Sequence, residues 1–210
     1  MTSAVGWFDA GWYVRATDLA THSTWLNGAA AVWTDWGLLV FAALFLAGWW
    51  IARPGSAARM AAALWAPIAT VAAYAIDVVI KGFVAEPRPC QVIAAVHTVL
   101  PCPGAADYSF PSNHATIAAA ATVGLFAVSR RLGVVAAVAA LLMAASRVYV
   151  GAHYPHDVLA GLVVGAVVAG AFLVPATRAL SALVVRLRHT PLRPLLTVQP
   201  ATGHHAAGAR

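Results

Sequence analysis

Long apolar runs dominate this chain and restrict what it can fold into. Four runs, at 36–52, 60–80, 132–150 and 157–176, have spanning length, and the Ala-rich run 112–129 is a fifth. A spanning helix needs about 20 apolar residues, and its backbone must satisfy its own hydrogen bonds. The runs do not alternate polar and apolar residues, which argues against a membrane β-barrel. The sequence therefore predicts an all-α, polytopic membrane helical bundle with about five spanning helices.

The composition supports a membrane protein. Of the 210 residues, 61% are hydrophobic and 10% are charged, whereas soluble domains carry about 25% charged residues. The net charge of +6 could suggest a nucleic-acid partner. The basic residues form no long patch, however, and no nucleic-acid-binding motif is present. We therefore expect a lipid bilayer around the chain and no nucleic-acid partner.

The N-terminal part differs from the spanning runs. Residues 5–27 mix aromatic with charged side chains, and they lack the basic start and apolar core of a cleavable signal peptide. This mixture predicts an amphipathic helix in the membrane interface, with a sixth, weakly apolar span as the alternative. The predicted organisation is an interfacial segment at 1–31, a transmembrane domain at 32–176, and a basic, partly disordered tail at 177–210.

Charged residues are distributed unequally between the loops. Arg53 and Arg59 follow the run at 36–52, and Arg130 and Arg131 lie between the runs at 112–129 and 132–150. These loops and the arginine-rich tail contain no acid. All seven acids lie on the other side: Asp9, Asp18, Asp35, Asp77, Glu86, Asp107 and Asp157. Short loops rich in Lys and Arg stay cytoplasmic. This asymmetry predicts a cytoplasmic C-terminus and an acidic side that faces outward.

Three cations break this charge rule. Lys81, Arg88 and Arg147 lie on the acidic, outer side, close to the ends of apolar runs. Cations placed there favour a binding site for an anion. The structural alternative is snorkelling, or pairing of Lys81 with Asp77 one helical turn earlier. Convergence of all three cations on one place favours the anion site.

A second cluster begins the apolar run at 112–129. Ser112 suits the N-cap position, and the free N–H groups of a helix N-terminus bind anions. Asn113 follows the cap, and His114 lies in the first turn, close to any bound phosphate. Taken alone, this segment is better explained as a plain capped helix with an interfacial histidine.

A third cluster pairs an imidazole with a carboxylate. His153 and Asp157 are four residues apart around Pro155, which suits a helix start. The carboxylate can accept a hydrogen bond from one ring nitrogen and leave the other as nucleophile or base. Arg147 offers a planar fork for phosphate oxygens. A structural His–Asp pair is the alternative, but the three clusters together predict hydrolysis of a phosphate ester at a membrane.

Metals and cysteines add two expectations. No HExxH, paired-cysteine or acidic metal motif is present, so we expect no metal and no cofactor. His204 and His205 lie in a polar tail that favours disorder over metal binding. Cys90 and Cys102 lie on the outer side, where a disulfide is permitted, although two free thiols fit the spacing as well.

The three clusters follow one another as Lys81-x6-Arg88-Pro89, Pro111-Ser112-Asn113-His114 and Ser146-Arg147-x5-His153-x3-Asp157. This pattern resembles the type 2 phosphatidic acid phosphatase (PAP2) family, whose superfamily also contains vanadium-dependent haloperoxidases. The motifs cover residues 81–157, and the helical layout extends the resemblance over about 32–176. The resemblance implies that His153 attacks phosphorus and forms a phosphohistidine, that Asp157 orients it, and that His114 protonates the leaving oxygen and then activates water. It also implies a set of phosphate ligands: Lys81, Arg88, Ser112, Asn113 and Arg147.

Within the family, the run from Ser146 to Asp157 resembles bacterial undecaprenyl-diphosphate phosphatases. That resemblance implies a multi-pass protein of the bacterial cytoplasmic membrane with a lipid diphosphate substrate and an outward active site. A phosphatidic acid or phosphatidylglycerophosphate phosphatase is the alternative. A non-enzymatic lipid carrier or flippase would need the cations but not His153 and Asp157, so the presence of this pair counts against it. The family usually has Gly where Asn113 stands, and Asn can still donate its backbone N–H.

Overall fold

A computed structural model describes residues 9–93 and 96–198. These residues form helices, and no strand occurs among them. In chain order the helices are α1 (Ala10–His22), α2 (Thr24–Trp36), α3 (Leu38–Ala52), α4 (Ala57–Val84), α5 (Pro89–Val92), α6 (Asn113–Val128), α7 (Arg130–Tyr149), α8 (Pro155–Ala171), α9 (Leu173–Leu187) and α10 (Arg193–Leu196). The all-α class predicted from the apolar runs is confirmed.

Length and apolarity identify the helices that could cross a bilayer. The stretch Ala57–Val92 and helix α7 qualify individually. Two bent pairs qualify as pairs, α2 with α3 at 51° and α8 with α9 at 48°. The described residues therefore offer two spanning helices, or up to four if each bent pair is one span. Helix α6, with 16 residues, is apolar but shorter than either of the two spans that qualify individually.

Helix α6 lies at the centre of the bundle and packs against α4, α7 and α8. Small residues permit this close approach, as is common between membrane helices. A Cβ on Gly165 of α8 would lie 2.2 Å from the carbonyl oxygen of Thr116, and one on Gly124 of α6 would lie 2.6 Å from Cα of Ala66. This packing holds the N-termini of α6 and α8 side by side.

The apolar run at 157–176 is interrupted in the structure. Helix α8 ends at Ala171, and α9 begins at Leu173 with a different direction. Pro175 explains the break, because it has no N–H for the carbonyl of Ala171 and its ring clashes with that carbonyl. Helix α9 packs against α4, so the start of the predicted tail is helical. Residues 199–210, with His204 and His205, lie outside the described residues.

The N-terminal helices pack on the part of the chain that carries the third cluster. Helices α1 and α2 contact α7, and the buried Tyr13 donates a hydrogen bond to the carbonyl of Gly151 at 3.0 Å. Trp12 and Trp25 remain 67% and 82% exposed, as expected for side chains at headgroup depth. Helix α2 crosses the boundary predicted at residue 31, and Trp7 and Phe8 lie outside the described residues.

The two ends of the bundle differ in charge. Arg53, Arg59 and Arg188 lie at one end of the bundle. They donate to the backbone carbonyls of Pro194 in α10, Val128 at the end of α6, and Gly55 in the loop before α4. Lys81 lies at the other end of the helix that carries Arg59, 22 residues away, which corresponds to about 33 Å of α-helix. That length is close to the thickness of a hydrocarbon core, about 30 Å.

Candidate active site

The imidazole of His153 is anchored through one nitrogen. His153 lies between α7 and α8, and Asp157 lies in the first turn of α8. Oδ2 of Asp157 accepts hydrogen bonds from the Ser109 hydroxyl and from the backbone N–H of Tyr154 at 2.9 Å, and it lies 3.3 Å from Nδ1 of His153. An ionised carboxylate only accepts hydrogen bonds. Nδ1 therefore carries the proton, and Nε2 retains its lone pair.

The surroundings of His153 keep it neutral. The ring is buried, and this burial lowers its pKa to about 4, against the hydrogen bond to Asp157, which raises it. The nearby guanidinium groups of Arg147 and Arg88 lower the pKa further. At neutral pH the imidazole is therefore unprotonated at Nε2, as a nucleophile must be.

Arg88 faces this lone pair, and the rest of its guanidinium is held in place. Its Nη1 lies 3.2 Å from Nε2 of His153 and donates to the carbonyl of Ala152 at 2.8 Å. Its Nε and Nη2 donate to the backbone carbonyl and the carboxylate of Asp107, at 3.0 and 2.9 Å. A phosphorus atom approaching Nε2 would therefore arrive beside a positioned cation.

Lys81 has its three donors engaged. Its ammonium donates to three carbonyl oxygens of one loop, those of Tyr108, Ser109 and Pro111, at 3.0, 3.1 and 2.6 Å. An ammonium has three donors, so binding a phosphate would require it to release one carbonyl. The alternative, pairing of Lys81 with Asp77, does not form, because the three donors of Lys81 are engaged by the loop. Oδ1 of Asp77 instead accepts a hydrogen bond from the Thr116 hydroxyl at 2.6 Å. In this structure Lys81 holds the loop that carries Ser109 against α4.

The N-terminus of α6 presents polar atoms that have no partner. Ser112 is the N-cap residue, as predicted, but its side chain makes no cap hydrogen bond. The Ser112 hydroxyl, Oδ1 of Asn113 and Nε of Arg147 are buried without a hydrogen-bond partner among the described residues. Buried polar groups left unpaired cost about 1–3 kcal/mol each. The hydroxyl and the guanidinium are donors that an anion could satisfy.

The two predicted histidines share one end of the bundle. The backbone N–H of Ser112 donates to the carbonyl of Asp157 at 3.0 Å, which joins the first turns of α6 and α8. His114 lies in the first turn of α6, two residues after Ser112. The contact between Arg88 and Nε2 of His153 joins the first cluster to the third. The three clusters therefore meet at one site.

A disulfide borders this site. Cys90 and Cys102 are bonded, with their Cα atoms 6.0 Å apart. A cavity of about 60 Å³ lies between this disulfide and Arg147, with Gly151 and Ala152 in its wall. The loop that joins the first two clusters is thus fastened beside the predicted phosphate ligands.

Comparison with known proteins identifies the family. Residues 62–179 match the PAP2 superfamily. The chain belongs to the PAP2 superfamily. The match contains all three clusters, and the resemblance drawn from their motifs is confirmed. As a PAP2 protein, the chain is a hydrolase that acts on phosphate esters.

Relatives of this PAP2 protein carry more specific names. It is 35% identical to the undecaprenyl-diphosphatase BcrC of Bacillus subtilis over 150 residues. This alignment covers 71% of this chain and 75% of the relative. It is 36% identical over 99 residues to an undecaprenyl-diphosphatase of Sulfolobus acidocaldarius, 47% of each chain. It is 39% identical over 97 residues to the decaprenylphosphoryl-5-phosphoribose phosphatase of Mycobacterium tuberculosis, 46% of this chain and 51% of the relative. No solved structure matches significantly.

Several side chains of the PAP2 site escaped the sequence analysis. Ser109 binds the carboxylate of Asp157, and Asp107 binds Arg88. His156, the residue before Asp157, lies with Nδ1 3.0 Å from Asp9 and Nε2 3.2 Å from Glu86. The sequence contained one local signal for the role of His156, namely a second histidine in the run His-Tyr-Pro-His-Asp that ends at Asp157. The other residues are distant along the chain and carry no such signal.

One group of metal-ligating atoms forms in the described part of the PAP2 protein. Atoms of Glu86, His156 and Asp157 lie within 4.8 Å of one another. Motif spacing could not predict this set, because Glu86 is 70 residues from His156. Nε2 of His156 lies 3.2 Å from Glu86 and 3.3 Å from Asp157. The position between the two carboxylates is therefore occupied by the imidazole itself.

Proposed function

We propose that this PAP2 protein removes the terminal phosphate of a polyprenyl diphosphate, converting undecaprenyl diphosphate to undecaprenyl phosphate at the outer face of the bacterial cytoplasmic membrane. The observation that carries the chemistry is the neutral, anchored imidazole of His153, with Nε2 directed at Arg88. Two relatives named as undecaprenyl-diphosphatases support the choice of substrate.

The reaction proceeds in two displacements. Nε2 of His153 attacks the terminal phosphorus, a P–N bond forms, and the P–O bond to the lipid phosphate breaks. The negative charge of the bound phosphate favours the protonated form of His114, which takes up a proton from the substrate or from water and donates it to the departing oxygen. Asp157 stabilises the cationic phosphohistidine through Nδ1–H. His114 then takes a proton from water, the resulting hydroxide attacks phosphorus, and the P–N bond breaks to release inorganic phosphate.

The remaining site residues bind and position the phosphate. Arg88 and Arg147 supply charge, because developing negative charge on phosphoryl oxygens is stabilised by preorganised cations. The unpaired hydroxyl of Ser112 and the backbone N–H groups at the start of α6, near Asn113, complete the phosphate-binding site, called the phosphate cradle below. Lys81 contributes by holding the adjoining loop, and it binds phosphate directly only after releasing a carbonyl.

The outward orientation of the site follows from charge. The arginine-rich loops meet at the end of the bundle that lies about 33 Å along α4 from Lys81. Positively charged short loops stay in the cytoplasm. The C-terminus, which follows the basic loop near Arg188, then lies inside, and the site opens outside.

A polyprenyl-linked sugar phosphate is a second candidate substrate. The M. tuberculosis relative is named for decaprenylphosphoryl-5-phosphoribose, a phosphate ester on a polyprenyl carrier. The same two displacements would act on it, because the nucleophile and the phosphate cradle need only a terminal phosphate.

Phosphate release by the purified full chain in lipid nanodiscs tests the proposal. The substrates are undecaprenyl diphosphate, decaprenylphosphoryl-5-phosphoribose, phosphatidic acid and phosphatidylglycerophosphate, and we expect the highest kcat/KM for the diphosphate. His153→Ala should abolish turnover while lipid binding persists, EDTA should leave activity intact, and vanadate should inhibit. Preference for phosphatidic acid would refute the substrate assignment, and turnover by His153→Ala would refute the nucleophile.

A further inference from the structure

His156 lies among carboxylates from three parts of the chain. Asp9 precedes α1, Glu86 follows α4, and Asp157 is the next residue in α8. All four side chains are largely buried. Two aromatic rings enclose the imidazole: Tyr154 stacks on it at 5.3 Å, and Phe110 lies 5.9 Å away.

Both ring nitrogens face carboxylate oxygens. Nδ1 lies 3.1 and 3.0 Å from Oδ1 and Oδ2 of Asp9. Nε2 lies 3.2 and 3.3 Å from the two carboxylate oxygens of Glu86, and 3.3 Å from Oδ1 of Asp157. Because ionised carboxylates only accept, both nitrogens carry protons, and the ring is an imidazolium. His156 is thus the cation in a buried group of acids.

This cation bears on the carboxylate that anchors His153. Oδ2 of Asp157 receives its donors from Ser109, Tyr154 and His153. Oδ1 is buried, has no hydrogen bond among the described residues, and has the imidazolium of His156 as its ion-pair partner. Without that partner, Oδ1 would be a buried charge beside Glu86, and rotation of the carboxylate would relieve the repulsion.

We propose that His156 is a positioning residue for phosphoryl transfer, which orients the Asp157 carboxylate toward His153 and links it to the N-terminal segment through Asp9. The proposal rests on the function proposed above for its nucleophile, His153, and for its substrate. It extends to any phosphate ester that the site hydrolyses, because it concerns the nucleophile's anchor.

The N-terminal segment is fastened on both sides of the His153 loop. The carboxylate of Asp9 accepts a hydrogen bond from the backbone N–H of His156 at 2.8 Å, and so caps the first turn of α8 from outside. Tyr13, four residues later, donates to the carbonyl of Gly151. Helix α1 is therefore part of the support of the active site.

Rapid-quench kinetics on the full chain test this role. The variants are His156→Gln and Asp9→Asn. The matched control is His22→Gln, which alters an exposed histidine paired with Asp18. Undecaprenyl diphosphate and p-nitrophenyl phosphate are both used, so a substrate error and a positioning error can be told apart. The readouts are kcat, KM, and the rate and amplitude of phosphoenzyme formation.

We expect His156→Gln to lower the rate of phosphoenzyme formation and kcat about 10- to 100-fold, since displacement of a positioned group costs about that much. The burst amplitude and KM should stay near the wild-type values, and His22→Gln should behave as wild type. Asp9→Asn should lower kcat in the same direction but less, because Glu86 still holds the imidazolium.

Three results would overturn the proposal. Unchanged kcat in His156→Gln would remove the role. A fall in burst amplitude at an unchanged rate would assign His156 to folding alone. Wild-type activity that EDTA abolishes and Zn²⁺ or Mg²⁺ restores would mean that Glu86, His156 and Asp157 hold a metal instead of an imidazolium. Turnover of p-nitrophenyl phosphate alone would refute the lipid substrate, and the kcat of His156→Gln with p-nitrophenyl phosphate would then decide the positioning role.

Discussion

Replacing Asp157 with asparagine isolates the charge that supports His153. Tyr154 N–H and the Ser109 hydroxyl both donate to the Oδ2 position, so the amide oxygen of Asn would occupy that place. The amide oxygen still accepts from Nδ1–H, and His153 keeps the tautomer in which Nε2 is free. The substitution therefore removes a negative charge without reversing the ring.

The size of the effect follows from the geometry. Attack by Nε2 leaves a positive imidazole ring, and Nδ1 lies 3.3 Å from Oδ2. At an effective dielectric constant of about 20, a charge pair at that distance is worth about 5 kcal/mol, which is an upper bound. The difference between a charged and a neutral acceptor gives a lower bound of about 1.5 kcal/mol. We expect kcat to fall about 10-fold at least and about 5,000-fold at most.

Single-turnover measurement of phosphoenzyme formation in Asp157→Asn checks this range. KM and the affinity for vanadate should change little, because the carboxylate does not contact the phosphate in the proposed mechanism. Asp18→Asn, at an exposed aspartate of α1, is the matched control. A wild-type rate of phosphorylation in Asp157→Asn, or a loss confined to KM, would refute the assignment of His153 and Asp157 as nucleophile and anchor.

Further outcomes are expected for pH, for helix packing and for the loop beside the site. Because burial lowers the pKa of His153 to about 4, the nucleophile stays neutral as pH falls through 6.5. Protonation of His153 should therefore lower kcat/KM only near pH 4. A pH-rate profile in which kcat/KM falls around pH 6.5 through protonation of His153 would contradict this. Gly165→Ala places a Cβ against the carbonyl of Thr116 and should cost about 1–3 kcal/mol of stability. Gly170→Ala, which meets nothing within 4 Å, should cost far less in the same thermal melts. Lys81→Met releases three loop carbonyls and should lower both kcat and the unfolding temperature, whereas a change in KM alone would contradict the loop-holding role.

The sequence was informative where the signal is local. His153 and Asp157 stand one helical turn apart, and that spacing alone predicted the hydrogen bond between them. The position of Ser112 before an apolar run predicted the start of α6. Pro175 also carried a local signal, since a proline inside an apolar run breaks the helix, but the run was interpreted as one span.

Other parts of the site depended on contacts that no spacing encodes. Ser109 reaches Asp157 across 48 residues, and Asp9 reaches His156 across 147. A serine or an aspartate in a loop has many roles, and its side-chain partner depends on which helix ends the bundle brings together. The position of Lys81 in the sequence predicted a cation near the site. Its bonds to the loop carbonyls could not be predicted, because they depend on how the loop folds back.

The sequence by itself determined the kind of fold and the enzyme family, and it predicted the chemistry. Long apolar runs require helices in a bilayer, and the order of the three motifs indicates the PAP2 family, whose resemblance predicts the nucleophile, its anchor and the phosphate-binding cations. Only the tertiary structure decided which donors are occupied, which are left for phosphate, and that His156 lies between three acids. The physical reason is that a hydrogen bond forms only within a few tenths of an ångström of its preferred length. That precision comes from the close packing of α6 against α4 and α8, which brings together side chains that are far apart along the chain.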